Sequence, residues 1–506
     1  MGGISLTKNN LSRIEFPGLV IPDPGYFQLP EKVLQFGTGV LLRGLPDYFI
    51  DKANRQGIFN GRIVVVKSTD GGDHRSFDEQ DNLYTTCIRG VKGRERTEKN
   101  IINASISRVL SSEREWAEIL DCAGNPEMRV IISNTTEVGI VLSDDAADDA
   151  PPASFPGKLL AFLHRRYTIF RGDPSKGCVI IPTELVPDNA ALLFSILRQM
   201  AERWQLGPDF TDWLKNANYF CNSLVDCIVP GKKAGLAENM GYTDELLVMT
   251  EVYRLWAIQS SSPEVSEILS FAKTDDRVVI APDIHLFREL KLRLLNGPHS
   301  FSCALAIMSG FSLVRQAFDA PEFYHFVREL MMEEVIPVIS DDTISAPVAT
   351  DFANQLLDRF RNPYLDHQWM SISLQYSMKM RLRNVPLISR FISKFGEPPV
   401  QMSLGFAAFL LFMKPNRKAD GKYYGFLNGH EYEIRDEQAS LFASAWEIED
   451  QDHFLQHILQ NQDLWGTDLS ALPGFSAAVQ QGLQALTRQG ARTTLQQLAR
   501  SKKVAE

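Results

Sequence analysis

The sequence predicts an α/β domain with a parallel-rich sheet followed by a mainly α-helical domain. Three observations carry that expectation. Short apolar, β-branched runs alternate with helix-spaced segments in the first half, these runs stop near residue 280, and long amphipathic segments take over beyond it. The boundary is expected between residues 275 and 276, so that 1–275 form the α/β domain and 276–506 the helical one.

The first strand is Lys32-Val-Leu-Gln-Phe36, which ends in Gly37-Thr38-Gly39 and is followed by helical spacing over 40–53. Further strands are expected at 62–66, 128–132 and 178–181, with helices at 113–119, 158–170 and 189–204. The acidic, Ala/Pro-rich stretch 144–156 reads as a solvated loop between such units. In the second half, 286–305, 322–334, 349–360 and 404–412 have helical spacing. The most apolar stretch, 402–413, is too short for a bilayer, which takes about twenty residues, and reads as a buried helix.

With 52 Lys+Arg against 62 Asp+Glu and a net charge of -10, the chain lacks the basic surface that nucleic acid requires. The first sixteen residues hold no apolar core of signal-peptide length, so a cytoplasmic protein without membrane partners is expected, as a monomer or small homo-oligomer. Six cysteines without a C-x-x-C pair fit reduced, mostly buried thiols and give no zinc pattern, so no metal is expected.

Two constellations could carry chemistry. Gly37-Thr38-Gly39 between a strand and a helix has the logic of a dinucleotide site, where glycines let the backbone approach a pyrophosphate. Leu42 stands where a third glycine would be, and a purely structural turn is the alternative. Lys67 closes the second strand where an NAD site often has an acid, which leaves NADP open, and Asp70 comes three residues late.

The second constellation is Lys291-Leu-Arg-Leu-Leu-Asn296-Gly-Pro-His299. In an α-helix Asn296 and His299 stand roughly 140° and 80° round from Lys291, so the three can share one side. Burying an amine, a carboxamide and an imidazole among leucines is costly unless they bind something. A snorkelling lysine, a capping asparagine and a satisfied core histidine form the alternative. Pro298 cannot donate to the carbonyl of Leu294, so the helix is expected to bend or restart there.

These residues, with Arg43 trailing the G-x-G, resemble the polyol-specific long-chain dehydrogenases, the mannitol dehydrogenase family. The resemblance runs from about Phe16 past Trp465 and includes Asn82-Leu-Tyr-Thr-Thr86, Ser133-Asn-Thr-Thr-Glu-Val-Gly139, Asn222-Ser-Leu-Val-Asp226 and Arg359-Phe-Arg-Asn-Pro-Tyr364. It implies a Rossmann-type domain for a nicotinamide cofactor, NAD with NADP not excluded, a helical domain, a cleft between them and no catalytic metal. It implies Lys291 as general acid/base, Asn296 and His299 as groups that polarise the carbonyl oxygen, and Asn222 as another polar contact. It implies cofactor contacts at Phe36, Gly37, Thr38, Gly39, Val40 and Arg43, and at Asn134 and Thr135. A sugar-acid substrate adds the need for a cation, for which Lys379 and Arg381 are candidates, with a solvated basic face as the alternative reading.

The chemistry is coherent on its own terms. Reducing a ketone builds negative charge on its oxygen, which pre-aimed donors stabilise. Lys291 can supply the proton near neutral pH if desolvation lowers its pKa from about 10.4 toward 7 or 8. A nucleotide-sensing protein that kept the fold without turnover is the reading from another class.

Overall fold

The structure is a computed structural model that describes residues 4–68, 75–92, 95–135, 139–230, 236, 238–341 and 343–503. The chain divides into two compact units, one of residues 1–90 and 96–284, the other of 91–95 and 285–506. The division falls at 284/285, beyond the boundary expected at 275/276.

The first unit is built on six parallel strands: β1 (Glu31–Phe36), β2 (Arg62–Lys67), β3 (Ile106–Ser111), β4 (Val130–Ser133), β5 (Val179–Pro182) and β6 (Tyr219–Phe220). Their order is β6-β5-β4-β1-β2-β3. The chain runs outward from β1 to β3, then returns to the other side of β1 for β4 to β6. The strand order therefore reverses between β1 and β4, where doubly wound sheets bind ligands at their carboxyl ends.

Strand alternation builds a core on each face of this sheet. Leu34, Phe36, Val64, Val66, Ile131 and Ile180 pack on one side against α3 (Trp116–Asp121), α4 (Phe155–Ile169), α5 (Asn189–Arg203) and α6 (Pro208–Asn216). Val33, Ile63, Val65, Val130, Ile132, Val179 and Ile181 face the other core, which takes in α1 (Val40–Gly44) and α2 (Pro46–Arg55). The single helix expected over 40–53 is thus two, broken at Leu45 before Pro46.

Several further strands were not expected from the sequence. Tyr84–Lys92 and Glu95–Asn103 join Val248–Glu251 and Leu19–Val20 in a four-stranded sheet. β7 (Ser223–Asp226), β8 (Leu255–Gln259) and β9 (Val278–Ala281) form another. The stretch 144–156 is mostly exposed, with Asp145 accepting from Ser143, Ala153 and Ser154 at the start of α4. All six cysteines are free, five of them buried.

The second unit is mainly helical, but a three-stranded antiparallel sheet at Arg417–Ala419, Lys422–Leu427 and His430–Glu433 corrects the expectation that strands end near 280. Its strands carry more polar and aromatic than β-branched residues and are at most half-buried almost throughout, so no apolar run announced them.

Three helices here share one irregularity. The turns Lys291–Asn296, Leu330–Val335 and Met380–Asn384 are π-helical, and each ends two residues before a proline, Pro298, Pro337 or Pro386. In each, the next amide donates five residues back: Gly297 to Leu292, Ile336 to Met331 and Val385 to Met380. Proline has no amide hydrogen and its ring crowds the carbonyl four residues before it. Widening the preceding turn relieves that crowding while the helix continues. The restart expected at Pro298 is therefore a π turn between α7 (His285–Leu290) and α8 (Gly297–Met308).

α8 is held by α9 (Val400–Phe412), whose Gly405 lies against Phe301. A Cβ at Gly405 would stand 2.7 Å from the Phe301 carbonyl oxygen and 3.0 Å from its Cβ. In an open helix Gly→Ala gains about 1 kcal/mol, but a backbone oxygen cannot yield, and overpacking costs about 1–3 kcal/mol. Gly405→Ala should therefore lower the melting temperature, and a thermal melt showing a rise would contradict this packing.

Candidate active site

In the first unit, the turn after β1 is shaped by its glycines. Gly37 has φ +125°, and a Cβ there would lie 3.0 Å from the Asn134 carbonyl oxygen. Its amide donates to the Val66 carbonyl at 3.0 Å. Gly39 is exposed, and a Cβ on it would meet nothing within 4 Å. The turn lies at the reversal point of strand order, beside Asn134 and Thr135 at the end of β4.

Other residues expected here have different tasks. The Phe36 side chain is fully buried and packs edge-on against Phe155 at 5.1 Å. Val40 packs on the core under α1. Arg43 is buried; its Nε donates to the Thr38 carbonyl at 3.2 Å and its Nη1 to the Leu246 carbonyl. These bonds brace the turn from inside. Asn134 donates to the Thr183 carbonyl and hydroxyl at 3.2 and 3.0 Å, and the Thr135 amide and hydroxyl donate to Glu184 at 2.8 and 3.0 Å. Glu184, buried and missed from the sequence, thereby fixes this loop. Lys67 is buried at the end of β2, and Asp70 and His74 lie outside the described residues, as do residues 136–138 of the Ser133–Gly139 motif.

Asn222, expected among the catalytic groups, is hydrogen-bonded within the first unit. Its Oδ1 accepts from the amides of Ala190 and Ala191 at 3.0 and 3.1 Å, and its Nδ2 donates to Gln259 Oε1 at 3.1 Å. It caps α5, whose own N-cap, Asp188, has φ +50° and makes no side-chain cap bond.

In the second unit the π turn sets the geometry. Lys291 and Asn296 open and close one i→i+5 turn, so they stand nearly one above the other instead of roughly 140° apart as on an α-helix. Both are half-buried. Arg293, buried on the opposite side of that turn, binds Glu289 at 3.2 Å and the carbonyls of Leu382 and Arg383 at 3.2 and 2.8 Å. Asn384 Nδ2 returns a bond to the Gly297 carbonyl at 3.2 Å. Two π turns are thus locked together.

His299, one turn further, is buried with Nε2 unpartnered. Its ring lies 4.5 Å from Phe360, 5.7 Å from His367 and 5.8 Å from Trp369. Burial pushes its pKa well below the usual imidazole value; His367, Arg359 and Arg383 add to this, opposed by a hydrogen bond to the Leu295 backbone. The ring is therefore neutral at pH 7. With Nε2 free, Nδ1–H makes the bond to Leu295, and Nε2 presents a lone pair. In this tautomer the His299 Nε2 can accept a hydrogen bond.

The expected cations separate. Lys379 Nζ donates to the Ile372 carbonyl at 2.8 Å, and exposed Arg381 donates to the Asp463 carbonyl at 3.0 Å. The cations around His299 are instead Arg359 and Arg383, and Arg383 reaches the Ser300 hydroxyl at 3.4 Å. Arg359 opens the quoted Arg359–Tyr364 motif and His367 follows it by three residues, which was the available signal. Among the described residues no three His, Cys, Asp or Glu side chains gather as a metal site, and no helix is long and apolar enough to cross a membrane.

If Asn222 is a cap, Asn222→Ala should cost about 0.5–2 kcal/mol of stability, measured by denaturant unfolding, and leave kcat within a few-fold. Unchanged stability with lost turnover would restore a catalytic role.

The mannitol dehydrogenase Rossmann domain matches residues 31–268, and the mannitol dehydrogenase C-terminal domain matches 283–487. The chain is 36% identical over 482 residues to the altronate oxidoreductase of Bacillus subtilis (strain 168), covering 93% of this chain and 96% of that one. It is 33% identical over 501 residues to that of Pectobacterium carotovorum subsp. carotovorum (strain PC1), covering 96% and 99%. In fold it is similar to Pseudomonas fluorescens mannitol 2-dehydrogenase, solved as a ternary complex with NAD and D-mannitol, with TM-score 0.69, 23% identity and coverage of 98% and 100%. A D-sorbitol dehydrogenase in substrate-free form gives TM-score 0.77 at 18% identity, covering 97% and 100%. With both domains matched in order and full-length relatives above 30% identity, the chain belongs to the mannitol dehydrogenase family of oxidoreductases.

Proposed function

We propose that this chain is an NAD-dependent oxidoreductase that interconverts D-tagaturonate and D-altronate in hexuronate breakdown in the cytoplasm, with Lys291 as general acid/base. Its relatives named altronate oxidoreductase, similar over nearly the whole chain, support this substrate over D-fructuronate or D-mannitol, the alternatives within the family. One observation carries the chemistry: an amine and a carboxamide aligned by a π turn, one turn before a buried imidazole whose Nε2 lacks a partner. That arrangement favours turnover over mere nucleotide sensing, which has no use for a proton donor.

The Gly37–Gly39 turn suits a dinucleotide, since Gly37 requires a missing side chain and the face over Gly39 is open. Gly37, Thr38 and Gly39 would hold it, with Asn134 and Thr135 beside them. When bound, the nicotinamide supplies or accepts the hydride. This chain's residues handle the proton and the charge. In reduction, the Lys291 ammonium donates its proton to the developing alkoxide, which the Asn296 Nδ2–H stabilises. In oxidation, the neutral amine takes the alcohol proton. The His299 lone pair can accept from a neighbouring substrate hydroxyl and so orient the sugar chain. Arg383, partly desolvated and beside Ser300, is a better placed cation for the carboxylate than Arg381.

The reading is tested by mixing the protein with NADH or NADPH and D-tagaturonate, D-fructuronate or D-fructose, and following loss of reduced-cofactor absorbance. Fastest turnover with NADH and D-tagaturonate is expected; oxidation with no ketone in the panel would sink it. Lys291→Met should abolish turnover while NADH still quenches protein fluorescence, and near-normal kcat would reject the lysine's role. Gly37→Ala, strained at φ +125° and blocked by Asn134, should weaken NADH binding at least tenfold, a cost of about 1.4 kcal/mol. Unaltered affinity would show that the turn does not bind the dinucleotide.

A further inference from the structure

Beneath the Gly37–Gly39 turn lies a carboxyl group that the proposed mechanism does not use. Asp47, in the first turn of α2, is fully buried. Its Oδ1 has no hydrogen-bond partner. Its Oδ2 lies 3.5 Å from Gln35 Nε2 and 3.4 Å from the Tyr84 hydroxyl, at the long limit of hydrogen bonding. A phenol has one proton to give, and the Tyr84 hydroxyl is closer to the Arg43 carbonyl, at 3.0 Å. With that proton held mainly by the Arg43 carbonyl, Tyr84 offers Asp47 Oδ2 only a long, weak hydrogen bond. An ionised carboxylate would leave one oxygen bare and the other with only two long donors.

The groups facing Asp47 also hold the turn. Gln35 Nε2 reaches the Gly37 carbonyl at 3.3 Å, and Arg43 Nε reaches the Thr38 carbonyl at 3.2 Å. The charged and titratable neighbours are Arg43 on α1, Tyr84 on the adjoining strand, Asp51 one turn along α2, and Asp244, which also acts on Arg43. Asp51 is engaged by Arg55 at 2.6 Å, and Asp244 by Gln80 and by the Thr85 and Leu246 amides. Burial pushes the Asp47 pKa up to about 7, against the opposing pull of Gln35, Arg43 and Tyr84.

We propose that Asp47 is a positioning residue for the dinucleotide: while protonated it leaves Gln35 and Arg43 on the carbonyls of Gly37 and Thr38, and on ionising it draws both away and weakens cofactor binding. The direction follows from charge. An ionised carboxylate forms roughly twofold stronger hydrogen bonds than a neutral acid and competes for both donors. It also sets a negative charge beneath a site meant for a pyrophosphate. Folding itself feels the same proton. The folded chain keeps it up to about pH 7, whereas an unfolded aspartate loses it near pH 3.9, so stability falls as pH rises through that window.

The inference rests on the turn being the dinucleotide site, and the test separates the two. NADH is titrated into the full chain by fluorescence between pH 5.5 and 8.5, and the ligand-free protein is melted over the same range. In the unaltered protein Kd should rise about threefold or more between pH 6 and 8, with a midpoint close to 7. Asp47→Asn should hold the low-pH affinity across the range and remove the matching fall in melting temperature. Gln35→Met, which cuts one link and keeps the carboxyl, should reduce the pH dependence of binding while the fall in melting temperature remains; it serves if Asp47→Asn does not fold. A flat Kd in the unaltered protein, or the same midpoint in Asp47→Asn, overturns the proposal. Failure to bind NADH at any pH overturns the dinucleotide reading and this inference with it.

Discussion

A proline inside a helix removes one hydrogen bond and crowds one carbonyl, and in the second unit the chain meets that constraint by widening the turn before it. The same solution appears ahead of Pro298, Pro337 and Pro386, so it follows from local chemistry and not from one site's needs. At Pro298 it brings Lys291 and Asn296 into line. The buried Arg293 and Asn384 then tie that turn to its neighbour through backbone carbonyls. Because backbone oxygens cannot swing away as side chains do, the lysine's stem has a fixed base.

Burial does the complementary work by setting protonation states. His299 is held neutral by desolvation and by the cations Arg359 and Arg383, so its free nitrogen offers a lone pair in a site otherwise rich in donors. In the first unit desolvation favours a neutral Asp47 beneath a turn that suits an anion. Each unit thus keeps one group in its uncharged form by excluding water. A single opened path for solvent would change its chemistry without removing an atom.

The sheet was legible because its strands are buried on both faces and show as continuous β-branched runs, as in Ile63 to Val66. The glycine turn was legible because only glycine suits Gly37's backbone. Function was harder to separate from support. Asn222 and Asn296 are the same residue type in equally suggestive motifs, yet one caps a helix and the other stands in the π turn; only knowledge of what lies across from Asn222 distinguishes them. Arg43 looked like a phosphate ligand because arginine's five donors serve backbone carbonyls as readily as phosphates. The α-helical angle misplaced Asn296, because it falls where proline alters the helical period.

The central claim is that an amine at position 291, in line with Asn296, transfers the proton. Chemical rescue tests it most directly. In Lys291→Ala, added methylamine should restore NADH-dependent reduction of D-tagaturonate, with a rate that rises with amine concentration. Full activity without amine, or no recovery at any concentration while NADH and substrate still bind, would contradict it.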